Sequence, residues 1–202
     1  MMRILAGSKR GMKLFSPKTR DSRPITDRVK ESLFNVLHNC DLPGGVRAAD
    51  LFCGVGSLGL EALSRGAEFV CFVEQDAKII PILERNIEKA GFVKQSKVIR
   101  ANAFKVGAPV EKKIENRKSK IEILRYGLVF VDPPYAFTQD VQAGSPLSRL
   151  MDVLQKQVTP EAIVVVRTNR RSFLLERYGA FQLLDRREWG TMAVTLLQMT
   201  SR

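Results

Sequence analysis

Ten residues, Asp50-Leu51-Phe52-Cys53-Gly54-Val55-Gly56-Ser57-Leu58-Gly59, constrain this chain more than any other segment. An apolar strand, Ala48 to Cys53, runs into a helix expected over Leu58 to Arg65, and the glycines at 54, 56 and 59 keep the GxGxxG order. A strand, a glycine turn and a helix in succession demand a buried parallel strand with its crossover. The pattern then repeats. Phe69 to Val73 reads as a strand, Ala77 to Ala90 as a helix with Ile80, Leu83 and Ile87 on one face, and Lys97 to Ala101 as a short strand. Leu128 to Val131 and Ala162 to Val166 are further strands, separated by a helix over Leu147 to Val158, while residues 181–199 suggest a closing hairpin around Trp189-Gly190. Residues 105–125 are dense in charge and are expected to form a helix with a surface loop. Alternating strands and helices predict an α/β fold, a mostly parallel sheet with helices on both faces.

The glycine loop carries chemistry as well as topology. Glu74 stands 20 residues beyond Gly54 at a strand end, where a carboxylate can accept from both hydroxyls of a ribose. Asp50 stands four residues before the first glycine, so a pyrophosphate on this helix start would meet an opposing charge. An acid there suits a ligand with an ammonium group. S-adenosyl-L-methionine has one, with a sulfonium cation and no phosphate, and is therefore favoured over NAD. Asn102 and Ala103 follow the third strand. The Asn102 amide suits the adenine edge, with an apolar neighbour over the ring; it suits a strand-end turn equally well.

A second chemical signature follows the strand 128–131: Asp132-Pro133-Pro134-Tyr135. The carboxylate of Asp132 and the proline-fixed carbonyl of Pro133 are two acceptors for the hydrogens of an amine. Tyr135 offers a ring on which a base can stack. Such an arrangement draws a conjugated nitrogen toward tetrahedral geometry and turns its lone pair on a methyl donor. A base within a duplex cannot reach it, so the target is expected to be flipped out or in a loop.

Charge points to the amine's owner. The 202 residues carry a net +12, and the first 30 contribute +7 of it, nine Lys/Arg against Asp21 and Asp27. That concentration is expected in an arm for a polyanion. Residues 3–15 read as a basic hairpin, with Arg3, Lys9, Arg10 and Lys13 available to phosphates, and Thr26 is a plausible N-cap for the helix that follows. One histidine and three cysteines without CxxC spacing predict neither a metal site nor a disulfide framework. No run of about 20 apolar residues and no signal-like leader are evident, so a cytoplasmic protein, without membrane contact, is expected.

These motifs together resemble the RsmD family of class I S-adenosylmethionine-dependent methyltransferases. The resemblance rests on Asp50-x-Phe52-x-Gly54-x-Gly56, Glu74 and Asp132-Pro133-Pro134-Tyr135, and on Met2-Arg3-Ile4-Leu5-Ala6-Gly7, Arg23-Pro24-Ile25-Thr26-Asp27-Arg28-Val29-Lys30-Glu31, Leu33-Phe34-Asn35 and Gly59 to Ala67. It implies a seven-stranded Rossmann-like sheet behind an N-terminal β-hairpin, residues 1–22 as an RNA-binding arm and 23–202 as the methyltransferase domain. It implies methylation of guanine N2 in 16S ribosomal RNA, free or in an assembling small subunit, by a monomer. Phe52 and Gly59 would join the cofactor site, and Arg23, Thr26 and Arg28 would lie near its mouth. Val166-Arg167-Thr168 puts a base at a strand end where an acid is expected, and receives no role. Adenine-N6 or protein-amide methylation uses the same acid-proline motif and is the alternative. An NAD-dependent oxidoreductase and a non-catalytic RNA-binding protein fit the residues less well.

Overall fold

The computed structural model describes residues 2–17, 25–115 and 120–200. Its centre is an eight-stranded sheet in the order β3-β2-β1-β6-β7-β10-β9-β8. Strands β1 (Arg47–Leu51), β2 (Phe69–Glu74), β3 (Ser96–Arg100), β6 (Tyr126–Val131) and β7 (Val158–Asn169) are parallel. Strands β8 (Arg177–Tyr178), β9 (Phe181–Trp189) and β10 (Met192–Met199) add antiparallel. The expected seven strands are present, and the two-residue β8 extends the edge beyond them.

Alternation along the strands divides the core. Ala48, Phe72, Phe130 and Val165 pack with helices α1 (Asp27–His38), α2 (Ser57–Ser64) and α3 (Ile80–Ala90). Leu51, Val73, Val131 and Val166 point the other way, toward α4 (Ala103–Val106) and α5 (Pro146–Leu154). Strands buried on both faces explain the continuous apolar runs. Thr26 caps α1, its hydroxyl accepting from the Val29 amide at 3.4 Å, with Asp27 in the first turn. None of the helices among the described residues is long and apolar enough to cross a membrane.

Three expectations are corrected. Residues 105–125 do not hold a long helix: after the single turn of α4 the chain forms a hairpin of β4 (Glu111–Glu115) and β5 (Lys120–Leu124), paired Glu111 with Leu124 through Glu115 with Lys120. The alternation of Ile121 and Ile123 with charged neighbours suits a two-residue period better than a helical face. Glu111 ties this hairpin to the sheet through Arg47 and Lys97, both at 2.9 Å. The helix expected to run to Val158 ends at Leu154, because parallel pairing with Tyr126 draws Val158 into β7.

The third correction is the N-terminal hairpin, whose ladder shrinks to one antiparallel bridge, Arg3 to Lys13. Beside it, Ile4 N donates to Met12 O and Leu14 N to Met2 O, both at 2.9 Å. The amides of Leu5 and Ala6 turn away and donate to the Glu61 carboxylate of α2, at 2.7 and 3.0 Å. A buried anion outcompetes a partner strand for those donors. Ile4 and Leu14 are buried in the α1–α3 side of the core, so the segment is docked along its length.

Candidate active site

The parallel strands β1, β2, β6 and β7 end at one edge of the sheet, where ligands bind in open α/β folds. A cavity of about 640 Å³ lies there. Asp50, Phe52, Gly54, Glu74, Ala103 and the whole of Asp132-Pro133-Pro134-Tyr135 line it. The sequence thus brings two motifs some eighty residues apart to one hollow, through the pairing of Asp50 with Phe130 and Leu51 with Val131.

The glycines act by shape. Gly56 has φ +84, and a side chain there would meet Leu83 Cδ1 at 2.6 Å. At Gly59 a Cβ would fall 2.4 Å from the Phe72 ring, so this glycine seats α2 against β2. Neither faces the cavity. Around this turn the acids are held by backbone: Asp50 Oδ2 accepts from Gly59 N at 2.8 Å, and Glu74 Oε2 accepts from Gly54 N at 2.9 Å. The other Glu74 oxygen accepts from the amides of Gln75 and Asp76, each at 2.8 Å.

Asp50 is 1% exposed. Burial pushes its carboxyl well above the ordinary range; the Gly59 amide opposes that, and the charges of Asp132 and Glu74 push further in the same direction. Among the described residues, the charges that shift it are those of these two acids. Asp132 is also raised by burial, but the Arg167 guanidinium counters the effect. Arg167 Nε donates to Asp132 Oδ1 at 2.5 Å, and its guanidinium lies 5.9 Å from the centre of the Tyr135 ring. The Tyr135 hydroxyl is buried with no hydrogen-bond partner among the described residues.

Asn102 is not brought to the cavity wall. Its Oδ1 caps α4, accepting from Phe104 N at 2.9 Å, so the turn alternative holds for that oxygen. Phe52 (φ +60) begins a chain of tilted rings through Phe104 to the exposed Phe137, with centroids 4.7 and 5.1 Å apart. Arg3, Arg10, Lys13 and Arg28 are exposed, with Arg3 paired to Asp27 at 2.8 Å. Lys9 is half-buried, its ammonium 5.8 Å from the Phe92 ring, and Thr26 is spent as a cap. Arg23 lies outside the described residues. From the arm, Met2 and Pro17 reach the cavity wall, as does Ile25 just before α1.

Lys30 couples the arm to the cofactor loop. It is 1% exposed, and burial lowers its ammonium while Glu61 opposes the shift. Its Nζ donates to Arg3 O at 2.6 Å and to Ser57 Oγ at 3.2 Å, and lies 3.3 Å from Glu61. Sequence reasoning gave no role to Arg167 or Lys30. The available signal for Arg167 was its place at a strand end; only the pairing of Val131 with Val166 sets it beside Asp132.

The strand order, with the glycine turn and its acids at the carboxyl edge, defines a class I S-adenosylmethionine-dependent methyltransferase fold. Solved structures agree with that class. The yhhF protein of Escherichia coli superposes with a TM-score of 0.78 at 28% identity, covering 100% of this chain and 99% of that one. An RNA methyltransferase from Salinibacter ruber in complex with S-adenosyl-L-homocysteine shares the fold at 13% identity, with a TM-score of 0.61 over 89% and 95% of the two chains. The family model described as conserved hypothetical protein 95 matches residues 2–198. The ribosomal RNA small subunit methyltransferase D of Haemophilus influenzae is 30% identical over 201 residues, 98% of this chain and 93% of that protein. The chain belongs to this family, the RsmD family that its motifs resemble.

Proposed function

We propose that the protein transfers a methyl group from S-adenosyl-L-methionine to the exocyclic N2 of a guanine in 16S ribosomal RNA, in the free RNA or an assembling small subunit. The observation that carries the reading is the convergence of Asp50, Glu74 and Asp132 on one cavity, with the Asp50 carboxyl raised by burial and by its two acidic neighbours. Asp132 has the Arg167 guanidinium beside it, but a buried Asp50 next to two further acids is costly unless another cation joins them. A ligand with an ammonium and a sulfonium fits that demand, and one with phosphates opposes it. The cavity volume also lies in the range of small-molecule sites. Asp50 would face the ammonium, Glu74 the ribose, and Phe52 and Ala103 the adenine. When bound, the cofactor supplies an electrophilic methyl group.

The chain's own residues do the rest. Asp132 and the Pro133 carbonyl accept the two N2 hydrogens, aligning the nitrogen lone pair with the donor side of the cavity. Tyr135 stacks on the base. Asp132 steadies positive charge as it develops on the nitrogen, and the proton leaves afterwards. Residues 1–22 act as the RNA arm, with Arg3, Lys9, Arg10 and Lys13 joined by Arg23 and Arg28 on phosphates. The name of the Haemophilus relative supports ribosomal RNA as substrate.

The test is incubation with methyl-labelled S-adenosyl-L-methionine and either naked 16S rRNA or small subunits. Label recovered as N2-methylguanosine is the expected result. Label in N6-methyladenosine, or none in any RNA, overturns the proposal.

A further inference from the structure

Strand β7 does not stop with its neighbour. Its register with β6 closes at Val131 and Val166, and it continues through Arg167, Thr168 and Asn169. Three residues at about 3.3 Å each carry it about 10 Å past the cavity edge. Strand β10 pairs with this extension up to Met192, and β9 follows to Trp189, so a three-stranded ribbon overhangs the site. Residues 167–189 hold six arginines, no lysine, and three acids.

The ribbon has a specific surface. Phe173, in the loop after β7, is 65% exposed. The Arg186 guanidinium lies 4.4 Å from its ring centre. Arg186 is itself held by Arg170 O at 2.8 Å and by Glu188. A ring propped by a cation and otherwise open is a stacking platform. Arg170 and Arg187 have side chains 55% and 47% exposed, and Arg171 is exposed beside them. Their acid partners, Glu188 at 3.9 Å from Arg170 and Asp185 at 2.8 Å from Arg187, form surface pairs that bind weakly enough to yield to phosphate. Arg187 lies opposite Val194 and Val194 opposite Arg167, so by alternation it stands on the other face of the ribbon from Arg186 and Phe173. Three strand spacings put Arg187 about 14 Å from Asp132.

We infer that this overhang is a second RNA-docking surface: Phe173 stacks on an unpaired base flanking the target, and Arg170 and Arg171 hold the adjoining phosphates. The inference rests on the proposed RNA substrate and adds a contact surface separate from the arm. The arm meets the cavity from the α2 side, and the overhang rises beyond β6 and β7, so RNA gripped by both is fixed across the pocket mouth. Arginine, with its planar fork, serves both stacking and phosphate contact better than lysine.

The test uses the full chain with naked 16S rRNA and with small subunits, measuring the dissociation constant as salt is varied, together with methyl transfer, S-adenosylhomocysteine affinity and thermal midpoint. Phe173→Ala is expected to weaken RNA binding about tenfold, with Phe173→Trp restoring it. The pair Arg170→Gln and Arg171→Gln is expected to flatten the log–log salt slope by about 1.4, the loss of two single-strand phosphate contacts. Cofactor-product affinity and thermal midpoint should stay at wild-type values, because these side chains are exposed and outside the cavity. Wild-type methylation of RNA with all variants unchanged overturns the surface alone. Loss confined to assembled subunits, with naked RNA bound normally, assigns the surface to a protein partner and overturns the inference. A wild-type protein that binds S-adenosylhomocysteine but no RNA overturns the substrate reading, and this surface with it.

Discussion

Asp50 and Asp132 occupy nearly equivalent places, at the ends of adjacent parallel strands and facing one cavity, yet they are held in opposite ways. Among the described residues, Asp50 accepts the Gly59 amide and is shifted by two neighbouring acids, while Asp132 has a resident guanidinium. Burial raises both carboxyls. The difference teaches what each half of the cavity awaits. A buried carboxylate raised by neighbouring acids is eased by a cation that arrives with a ligand. A carboxylate with its own arginine has part of its burial cost offset without one, and as the carboxylate it can accept from a neutral amine. On the proposed function, the asymmetry divides the site into a cofactor half and an acceptor half.

Removing the acceptor-half acid has the largest expected effect. Asp132→Ala should reduce methyl transfer by about a thousandfold or more, since it deletes a group aligned with developing charge. S-adenosylhomocysteine binding, measured by calorimetry, should persist. Equal loss of transfer and cofactor binding would erase the division between the two halves.

Much of that division was legible in the sequence because its determinants are local. Strand, glycine turn and helix follow one another within ten residues, and Asp132-Pro133-Pro134-Tyr135 is contiguous. Glu74 was found by its distance along the chain from Gly54. What escaped notice depends on partners far away in sequence. Arg167 becomes a partner of Asp132 only through parallel pairing 35 residues on. The hairpin lost its ladder to a carboxylate 55 and 56 residues distant. Asn102 was ambiguous for the converse reason: a strand-end asparagine can always turn inward and cap, and here its oxygen does. In residues 105–125 the density of charge hid the alternation of the hairpin strands.

Neutralising the cofactor-half acid should have the next largest effect. Asp50→Asn keeps an oxygen for the Gly59 amide and removes the charge. Affinity for S-adenosyl-L-methionine should fall about 10- to 100-fold, the scale of one charge-assisted hydrogen bond. Stability of the ligand-free protein should change in the opposite direction. The folded-state pKa of Asp50 is raised, so its favourable contribution is complete at low pH and is lost as pH rises through that value. The variant should therefore gain over wild type in urea unfolding at pH 8, with the gain vanishing on acidification. Unchanged cofactor affinity would sever Asp50 from the ammonium.

Arg167→Gln probes the resident cation, and its effect should be the smallest at alkaline pH. Burial raises the Asp132 carboxyl, and Arg167 is what opposes the rise. The active form is the carboxylate, so activity falls as pH drops through the Asp132 pKa. Removing the guanidinium leaves burial unopposed, which moves that acid limb to higher pH. The kcat/KM profile of Arg167→Gln should approach wild type above the limb and diverge steadily below it, with Arg167→Lys intermediate. A uniform loss at every pH, with the limb unmoved, would mean that Arg167 acts on the RNA directly, and the contrast with Asp50 would then need another source than a resident counterion.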